Sequence, residues 1–328
     1  MPEMTLIEAV RETLRSEMRR DSDIFMMGED IGPRGGVFLA TEGFVEEFGE
    51  DRVMNTPLAE SSIIGIALGA AVNGMRPVAE IQFADFVWPA INQLVGEAAR
   101  VRYGTNGGKT APMTVRVPYG GGVRGGLYHS QSIEVLFAHT PGLQVIAPAT
   151  PYDARGLLRS AIRSNDPTVF LEHKRTYRLV RGETPDEDYT EPIGKADIKR
   201  AGNDVTLITY GLMLHHSLQA AEVVSQSDGI ETEVVDLRTL RPIDGETILD
   251  SVSRTGRAMI VQEDTGAVSV SSEVSAIIAA EGFFDLDAPV VRVTPPEIPP
   301  MPFSPLQEAE FMPSPEKIAA GIRQLAEI

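Results

Sequence analysis

Glu60 heads an uncharged stretch: Asn55-Thr56-Pro57-Leu58-Ala59-Glu60 is followed by Ser61 to Met75 without one charged side chain. At the mouth of an apolar core an ionised carboxylate is costly, and burial favours its protonated form. Such a carboxyl group is suited to exchanging a proton with a ligand. An acid at a helix N-terminus is also stabilised by the helix dipole alone, with no chemical duty. His129 is the second candidate. It follows the glycine-rich run Pro118-Tyr119-Gly120-Gly121-Gly122-Val123-Arg124-Gly125-Gly126 and stands beside Ser130 and Gln131. Histidine titrates near neutrality, so a loop that delivers it into a cleft offers acid-base chemistry; lone histidines are more often structural or exposed. The other four histidines (His139, His173, His215 and His216) show no ligand spacing for a protein-only metal centre. Phe86, in Phe83-Ala84-Asp85-Phe86-Val87-Trp88-Pro89, is either a core aromatic or a ring that stacks on a flat heterocycle, since ligands collect at the carboxyl ends of parallel strands.

The elements that must position these groups follow from periodicity. Pro57 suits a first helical turn and Thr56 its cap. The segment Ile63, Ile64, Ile66, Ala67, Leu68, Ala70, Ala71, Val72 is apolar on nearly every face, which predicts a helix in the interior. It is too short for a membrane span, which needs about 20 residues. Leu6, Val10, Leu14 and Met18 recur at helical spacing before the strand Ile24-Phe25-Met26-Met27; Ile91, Leu94, Val95, Ala98 and Val101 predict one long helix. The glycine run contains G-x-G-x-x-G at Gly120, Gly122 and Gly125. A dinucleotide site needs a helix to open at once and an acid about 20 residues later. Here Leu127-Tyr128-His129-Ser130 intervenes, so a turning loop is the better reading. Strands near Val205–Tyr210, Thr232–Leu237, Ala258–Val261 and Val290–Val293 alternate with helices in the C-terminal part, before a last helix near Pro315–Ala326. Strands separated by helices predict two consecutive α/β domains, each with a largely parallel sheet covered by helices. The expected limits are 1–180 and 203–328, joined by a polar linker over 181–202 that includes Glu183-Thr184-Pro185-Asp186-Glu187-Asp188.

The 328 residues are 42% hydrophobic and 23% charged, ordinary values for a globular protein. No cysteine is present, which removes thiol nucleophiles and thiolate metal sites and fits a reducing cytoplasm. The first ten residues lack the basic flank and apolar run of a secretory signal. The net charge of −18 is uneven: residues 201–328 hold 20 acids and 7 bases, a balance of −13, against −5 over residues 1–200. An acidic C-terminal part argues against nucleic acid as a partner. It serves solubility or steers a basic protein surface.

Four stretches together carry a resemblance over nearly the whole chain: Asn55 to Glu60, Glu80-Ile81-Gln82-Phe83-Ala84-Asp85-Phe86, Leu127-Tyr128-His129-Ser130-Gln131-Ser132, and Val235-Asp236-Leu237-Arg238-Thr239-Leu240. The sequence resembles the β subunit of the first, decarboxylating component of a 2-oxoacid dehydrogenase complex. The resemblance implies a thiamine-pyrimidine-binding domain followed by a transketolase-C-terminal-like domain. It implies that the carboxylate of Glu60 bonds the pyrimidine of thiamine diphosphate, that Phe86 packs on that ring, and that His129 faces the reacting centre. Gln82 and Leu58 match further positions lining the pyrimidine pocket. The cofactor is the electron sink for loss of carbon dioxide. The Gly-Asp-Gly motif that holds magnesium and diphosphate in thiamine enzymes is missing, so the resemblance assigns those ligands to an α subunit, in an assembly of two α and two β chains. It also implies a potassium ion near Met113, Ala161, Ile162, Ser164 and Asp166, where Ser164 and Asp166 replace the usual Asp and Asn. Further implied partners are the subunit-binding and lipoyl domains of a dihydrolipoyl acyltransferase; no membrane is expected. Ala84-Asp85-Phe86-Val87-Trp88-Pro89 resembles branched-chain 2-oxoacid enzymes, whereas Ile193-Gly194-Lys195-Ala196-Asp197 resembles bacterial pyruvate enzymes, so the substrate stays open between them. An acetoin dehydrogenase β subunit and a non-catalytic scaffold subunit are the alternatives.

Overall fold

Alternating helix and strand patterns become two large sheets and a two-stranded one in the computed structural model, which describes residues 3–185 and 187–328. Met1 and Pro2 of the expected first domain and Asp186 of the expected linker lie outside the described residues. The chain groups into two compact units. One runs to Tyr119 and resumes at Leu136–Ile193; the other takes Gly120–Val135 and Gly194–Ile328. The glycine-rich loop and His129 therefore group with the second unit, although the sequence placed them within 1–180. Of the segment expected as linker, Arg181–Glu183 pairs antiparallel with Glu3–Thr5, and Asp197–Arg200 is a strand of the second sheet.

In the first unit, strands β1 (Ile24–Glu29), β2 (Val53–Thr56), β3 (Arg76–Glu80), β4 (Thr114–Tyr119), β5 (Gln144–Ile146) and β6 (Thr168–His173) lie in the order β5-β6-β4-β3-β1-β2, all parallel. Its main helices are α1 (Leu6–Arg20), α2 (Glu60–Val72) and α3 (Pro151–Arg163). Thr5 and Glu8 form a reciprocal capping box that starts α1. Leu6, Val10, Leu14 and Met18 bury against Ala154, Leu157, Leu158 and Ala161 of α3. Gly28 allows β1 and β3 to close up, since a Cβ there would stand 2.9 Å from the Glu80 carbonyl oxygen.

Three sequence expectations are corrected. Thr56 does not cap α2: it ends β2, in register with Glu29. The helix begins at Glu60, with Ala59 as a cap that makes no side-chain bond. Pro57 disfavours helical backbone at Thr56, and the ladder already holds that residue extended. Nor is α2 buried all round, for Ile63, Ile64, Ala67 and Ala71 face inward while Ser62, Ile66 and Gly69 are exposed. The expected long helix from Ile91 is instead a π-helical segment, Asn92–Glu97, a 3-10 turn, Ala98–Arg100, and a short α-helix, Val101–Gly104. Gly96 weakens an α-helix at its centre, and Gln93 reaches across to donate to Ser61 Oγ at 3.0 Å.

In the second unit, β7 (Asp197–Arg200), β8 (Val205–Thr209), β9 (Thr232–Asp236), β10 (Ala258–Val261) and β11 (Val291–Val293) run in the order β11-β10-β8-β9-β7. All are parallel except the edge strand β7. Every residue of β8, β9 and β10 is buried, as expected for strands covered on both faces. Helices α4 (Leu212–Asp228), α5 (Gly245–Thr255), α6 (Val270–Glu281) and α7 (Pro315–Ala326) supply the cover. Ser314 caps α7 by accepting from the Lys317 amide, with Pro315 in its first turn.

One ionic cluster lies buried in the first sheet. Arg116 on β4 donates through Nε and Nη2 to both oxygens of Glu172 on β6, at 2.6 and 2.7 Å, and through Nη1 to Glu80 on β3. Tyr177 adds its hydroxyl to Glu172 Oε2 at 2.6 Å. Burial raises the Glu80 carboxyl, with Arg116 opposing. Removing one partner of a buried ion pair strands the others without compensation. Arg116→Met is therefore expected to cost about 3–5 kcal/mol of folding free energy, read from chemical denaturation midpoints; a loss below about 1 kcal/mol, the scale of a surface pair, would show that the cluster is no anchor.

Candidate functional site

The carboxyl ends of β1, β2 and β3 bring the first set of candidate residues to one edge of the sheet. Glu29 closes β1; Leu58 and Glu60 follow β2; Gln82 and Phe86 follow β3. Ligands of open α/β sheets collect at such ends. Glu60, 9% exposed, is the first residue of α2. The Glu29 carboxyl is raised, by burial first and then by the charges of Asp30 and Glu60, which makes Glu29 and Glu60 an interacting pair of carboxyl groups. Asp30 adopts a left-handed backbone (φ 59°) and accepts from Arg34 at 3.1 Å and from Gln82 Nε2 at 3.5 Å.

Phe86 ends a 3-10 turn, Ala84–Phe86. Its ring meets Phe83 edge-on at 5.7 Å, Phe83 meets Phe38 at 5.6 Å, and Phe38 meets Tyr177 at 5.0 Å. This aromatic row ties Phe86 to the Arg116 cluster through the Tyr177 hydroxyl. Leu58 is 68% exposed, as are Ile66 (57%) on α2 and Trp88 (59%) on the turn packed against it. Sequence reasoning missed Glu29 and Asp30. An acid closing an otherwise apolar strand was the available signal.

The second unit holds the His129 loop. Gly120, Gly122, Arg124 and Gly126 all take positive φ, and the loop closes at its base where the Gly120 amide donates to the Gln131 carbonyl at 3.0 Å. Gly125 permits the tight turn before His129, because a Cβ there would fall 2.5 Å from the His129 carbonyl oxygen. The loop amides are already bonded: Gly121 donates to Glu263 at 2.6 Å, and Gly122 and Arg124 donate to Glu308 at 3.0 and 3.1 Å. No phosphate is needed to satisfy them. Beyond the loop, Glu134 is wholly buried; Oε1 accepts from the Tyr210 hydroxyl at 2.6 Å, while Oε2 is without a hydrogen-bond partner. Burial first, then Asp264, pushes Glu134 up to about 8, and burial pushes Asp264 up to about 6. Glu134, Glu263, Asp264 and Glu308 were also missed, since nothing in their spacing links them.

The expected potassium ligands adjoin one another in the first unit, but their acceptors are engaged. Arg76 Nη1 donates to the carbonyls of Ile162 and Ser164 at 3.1 and 2.9 Å. The Ala161 carbonyl accepts from the Ser164 amide and that of Met113 from the Thr168 amide, while Asp166 Oδ1 is paired with Arg102 at 2.5 Å. A monovalent cation would share these oxygens with a guanidinium against Coulomb repulsion.

Fold and site together define the transketolase class of α/β proteins. Residues 2–180 match the transketolase pyrimidine-binding domain and residues 194–318 the transketolase C-terminal domain. A solved split-gene transketolase, an inactive β4 tetramer, superposes with a TM-score of 0.79 over 99% of this chain and 98% of its own, at 22% identity; that likeness shows the fold. Over 327 residues, covering 100% of both chains, the sequence is 55% identical to the 2-oxoisovalerate dehydrogenase subunit beta of Bacillus subtilis (strain 168). It is 49% identical, with the same coverage, to the pyruvate dehydrogenase E1 component subunit beta of that organism. The chain belongs to the β subunits of 2-oxoacid dehydrogenase first components.

Glu134 gives this site a pH signature. In the unfolded chain a Glu ionises near about 4.3, whereas in the fold Glu134 keeps its proton to about 8. Between those values only the folded state holds the proton, so raising pH through the window removes stability; above it the loss levels off. Glu134→Gln is expected to shrink the fall in thermal midpoint between pH 5 and pH 8. An identical fall in both proteins would mean that Glu134 ionises normally.

Proposed function

We propose that this chain is the β half of a thiamine-diphosphate-dependent enzyme that oxidatively decarboxylates a 2-oxoacid, of pyruvate or branched-chain type, and passes the acyl group to a lipoyl group. The reading is carried by one grouping: Glu60 beside Glu29 at the carboxyl edge of the first sheet, with Gln82 and Phe86 leaving the neighbouring strand. A carboxyl pair, an amide and an aromatic ring suit a flat, nitrogen-bearing heterocycle. Thiamine diphosphate, when bound, supplies the nucleophilic carbon and the electron sink for decarboxylation.

In this reading the Glu60 carboxyl bonds a ring nitrogen and relays a proton to it, beside a Glu29 carboxyl that burial and the charges of Asp30 and Glu60 raise. Phe86 packs on the ring, Gln82 offers its amide, and Leu58 helps exclude water. His129 serves acyl transfer. Magnesium and diphosphate ligands come from an α subunit, because this chain has no Gly-Asp-Gly. The bare side chains Leu58, Ile66 and Trp88 also support a partner, since exposed large apolar groups mark protein contacts. The cell compartment in this reading is the cytoplasm. Among the described residues no helix is long and apolar enough to cross a membrane.

The isolated chain is expected to bind thiamine diphosphate weakly, and the pair co-expressed with a chain carrying Gly-Asp-Gly to bind it tightly and decarboxylate a 2-oxoacid. In the assembled pair, Glu60→Gln should slow hydrogen-deuterium exchange at the thiazolium carbon by about 10²–10⁴-fold. Unchanged exchange would return Glu60 to a helix-end role, and tight calorimetric binding by the isolated chain would sink the split site.

The acidic second unit is assigned to docking of an acyltransferase module. Phe283 and Phe284, 62% and 97% exposed, form an apolar knob between Glu281 and Asp285. Acidic rims raise association rates with basic partners. Screening over about 8 Å at physiological salt predicts a rate of association with the acyltransferase subunit-binding domain that falls as salt rises. A salt-independent rate in stopped-flow measurements would leave these acids to solubility.

A further inference from the structure

The glycine loop before His129 has the backbone of an anion-binding nest. Gly120 (φ 83°), Gly122 (φ 75°) and Arg124 (φ 58°) alternate with residues outside the left-handed region, an arrangement that turns successive N–H groups toward one point. In phosphate sites that point is filled by the ligand. Here the chain fills it: the amides of Gly122 and Arg124 converge on one oxygen of Glu308, and the Gly121 amide meets Glu263 Oε1, which also receives the Ser132 hydroxyl at 3.5 Å. Glu263 and Glu308 are buried, at 4% and 6% exposure. Amide bonds to a carboxylate are stronger than those between neutral groups, and burial shields them from water.

Left-handed backbone at Arg124, a residue with a Cβ, is costly and persists only when its surroundings impose it. The Glu308 bond to the Arg124 amide is the imposed constraint. Met301 fills the space beside Gly121, and Phe303 lies against Gly126, so the tract around 301–303 backs the loop. Leu127, Tyr128 and His129 remain exposed. Without the clamp, three glycines at 120–122 would leave that segment free to take many conformations.

We infer that Glu308 and Glu263 are positioning residues: their carboxylates occupy the glycine nest and fix the loop that presents His129. The inference rests on the assignment of acyl transfer to His129. It gives the loop a register that does not depend on a phosphate ligand and leaves the histidine ring, rather than the glycines, as the reactive feature.

The test compares Glu308→Ala with Glu308→Gln in the assembled enzyme, since the amide keeps an acceptor oxygen that alanine lacks. Two readouts are needed. Trypsin cleavage after Arg124 reports loop order without reference to catalysis; kcat and KM for lipoyl acylation report the positioning of His129. Glu308→Ala is expected to speed cleavage and to lower kcat, each by about tenfold, the scale of a lost charge-assisted bond. KM for the 2-oxoacid and the thermal midpoint should hold, and Glu308→Gln should restore most of both losses. Should the alanine variant fail to assemble, Glu308→Asp, one methylene too short to reach both amides, is expected to shift both readouts in the same direction. Unchanged cleavage and kcat in Glu308→Ala would overturn the inference. So would equal impairment of the alanine and glutamine variants with a lowered thermal midpoint, which would mark Glu308 as merely structural. A wild-type assembly with no lipoyl acylation would count against the proposed function instead, and trypsin would still decide the clamp.

Discussion

One guanidinium between two carboxylates sets the geometry on which the first unit relies. Arg116 spans β3, β4 and β6, three adjacent strands, with all its partners removed from water. Placing one cation with two acids in a low-dielectric interior leaves one negative charge too many, and the raised Glu80 carboxyl relieves that imbalance by favouring its protonated form. Because the bidentate pairing is directional, the strands cannot slide past each other without breaking it. The aromatic row from Tyr177 through Phe38 and Phe83 then carries that fixed reference to Phe86 at the sheet edge.

Carboxyl groups do three different jobs in this chain, and surroundings decide which. Glu172 is an ion-pair acceptor because Arg116 and Tyr177 both aim at it. Glu134 holds its proton, and the Glu29 carboxyl is raised in the same direction, because burial and neighbouring acids oppose their charge. Glu263 and Glu308 accept from backbone amides that a glycine-rich turn happens to expose. An acid's role cannot be read from its type; it follows from which donors or charges the fold sets around it.

That distinction explains what was legible beforehand. Periodicity exposed β1, the strands β8 to β11 and the helices α1 and α7, because one-sided or complete burial leaves a pattern in the chain itself; β2 and the edge strand β7, read as a helix cap and as linker, left none. Glu60, Phe86 and His129 stood out by local context: a carboxylate before an apolar run, an aromatic after a strand, a histidine after glycines. Glu29 was silent because its meaning comes from β1 and β2 lying side by side, which brings Glu29 level with Thr56. The bonds from the glycine loop to Glu263 and Glu308 were equally hidden, since both acids lie far along the chain. Thr56 misled, since a good capping residue before proline is also a good strand end. At Ile162 and Ser164 the match of positions said nothing of Arg76, whose side chain takes their carbonyls.

The bare apolar groups on and around α2 bear on how such a protein is made. Leu58, Ile66 and Trp88 stand in water in the single chain, and each would gain about 1.5–3 kcal/mol on full burial. A newly synthesised copy without its companion therefore carries adhesive surface, the kind that chaperones hold and proteases clear. Stability linked to a companion rises with the companion's concentration. Under the proposed pairing with an α chain, balanced synthesis of the two chains serves solubility as well as activity, and the same surface that would seat a companion supplies the quality control for copies that never meet one.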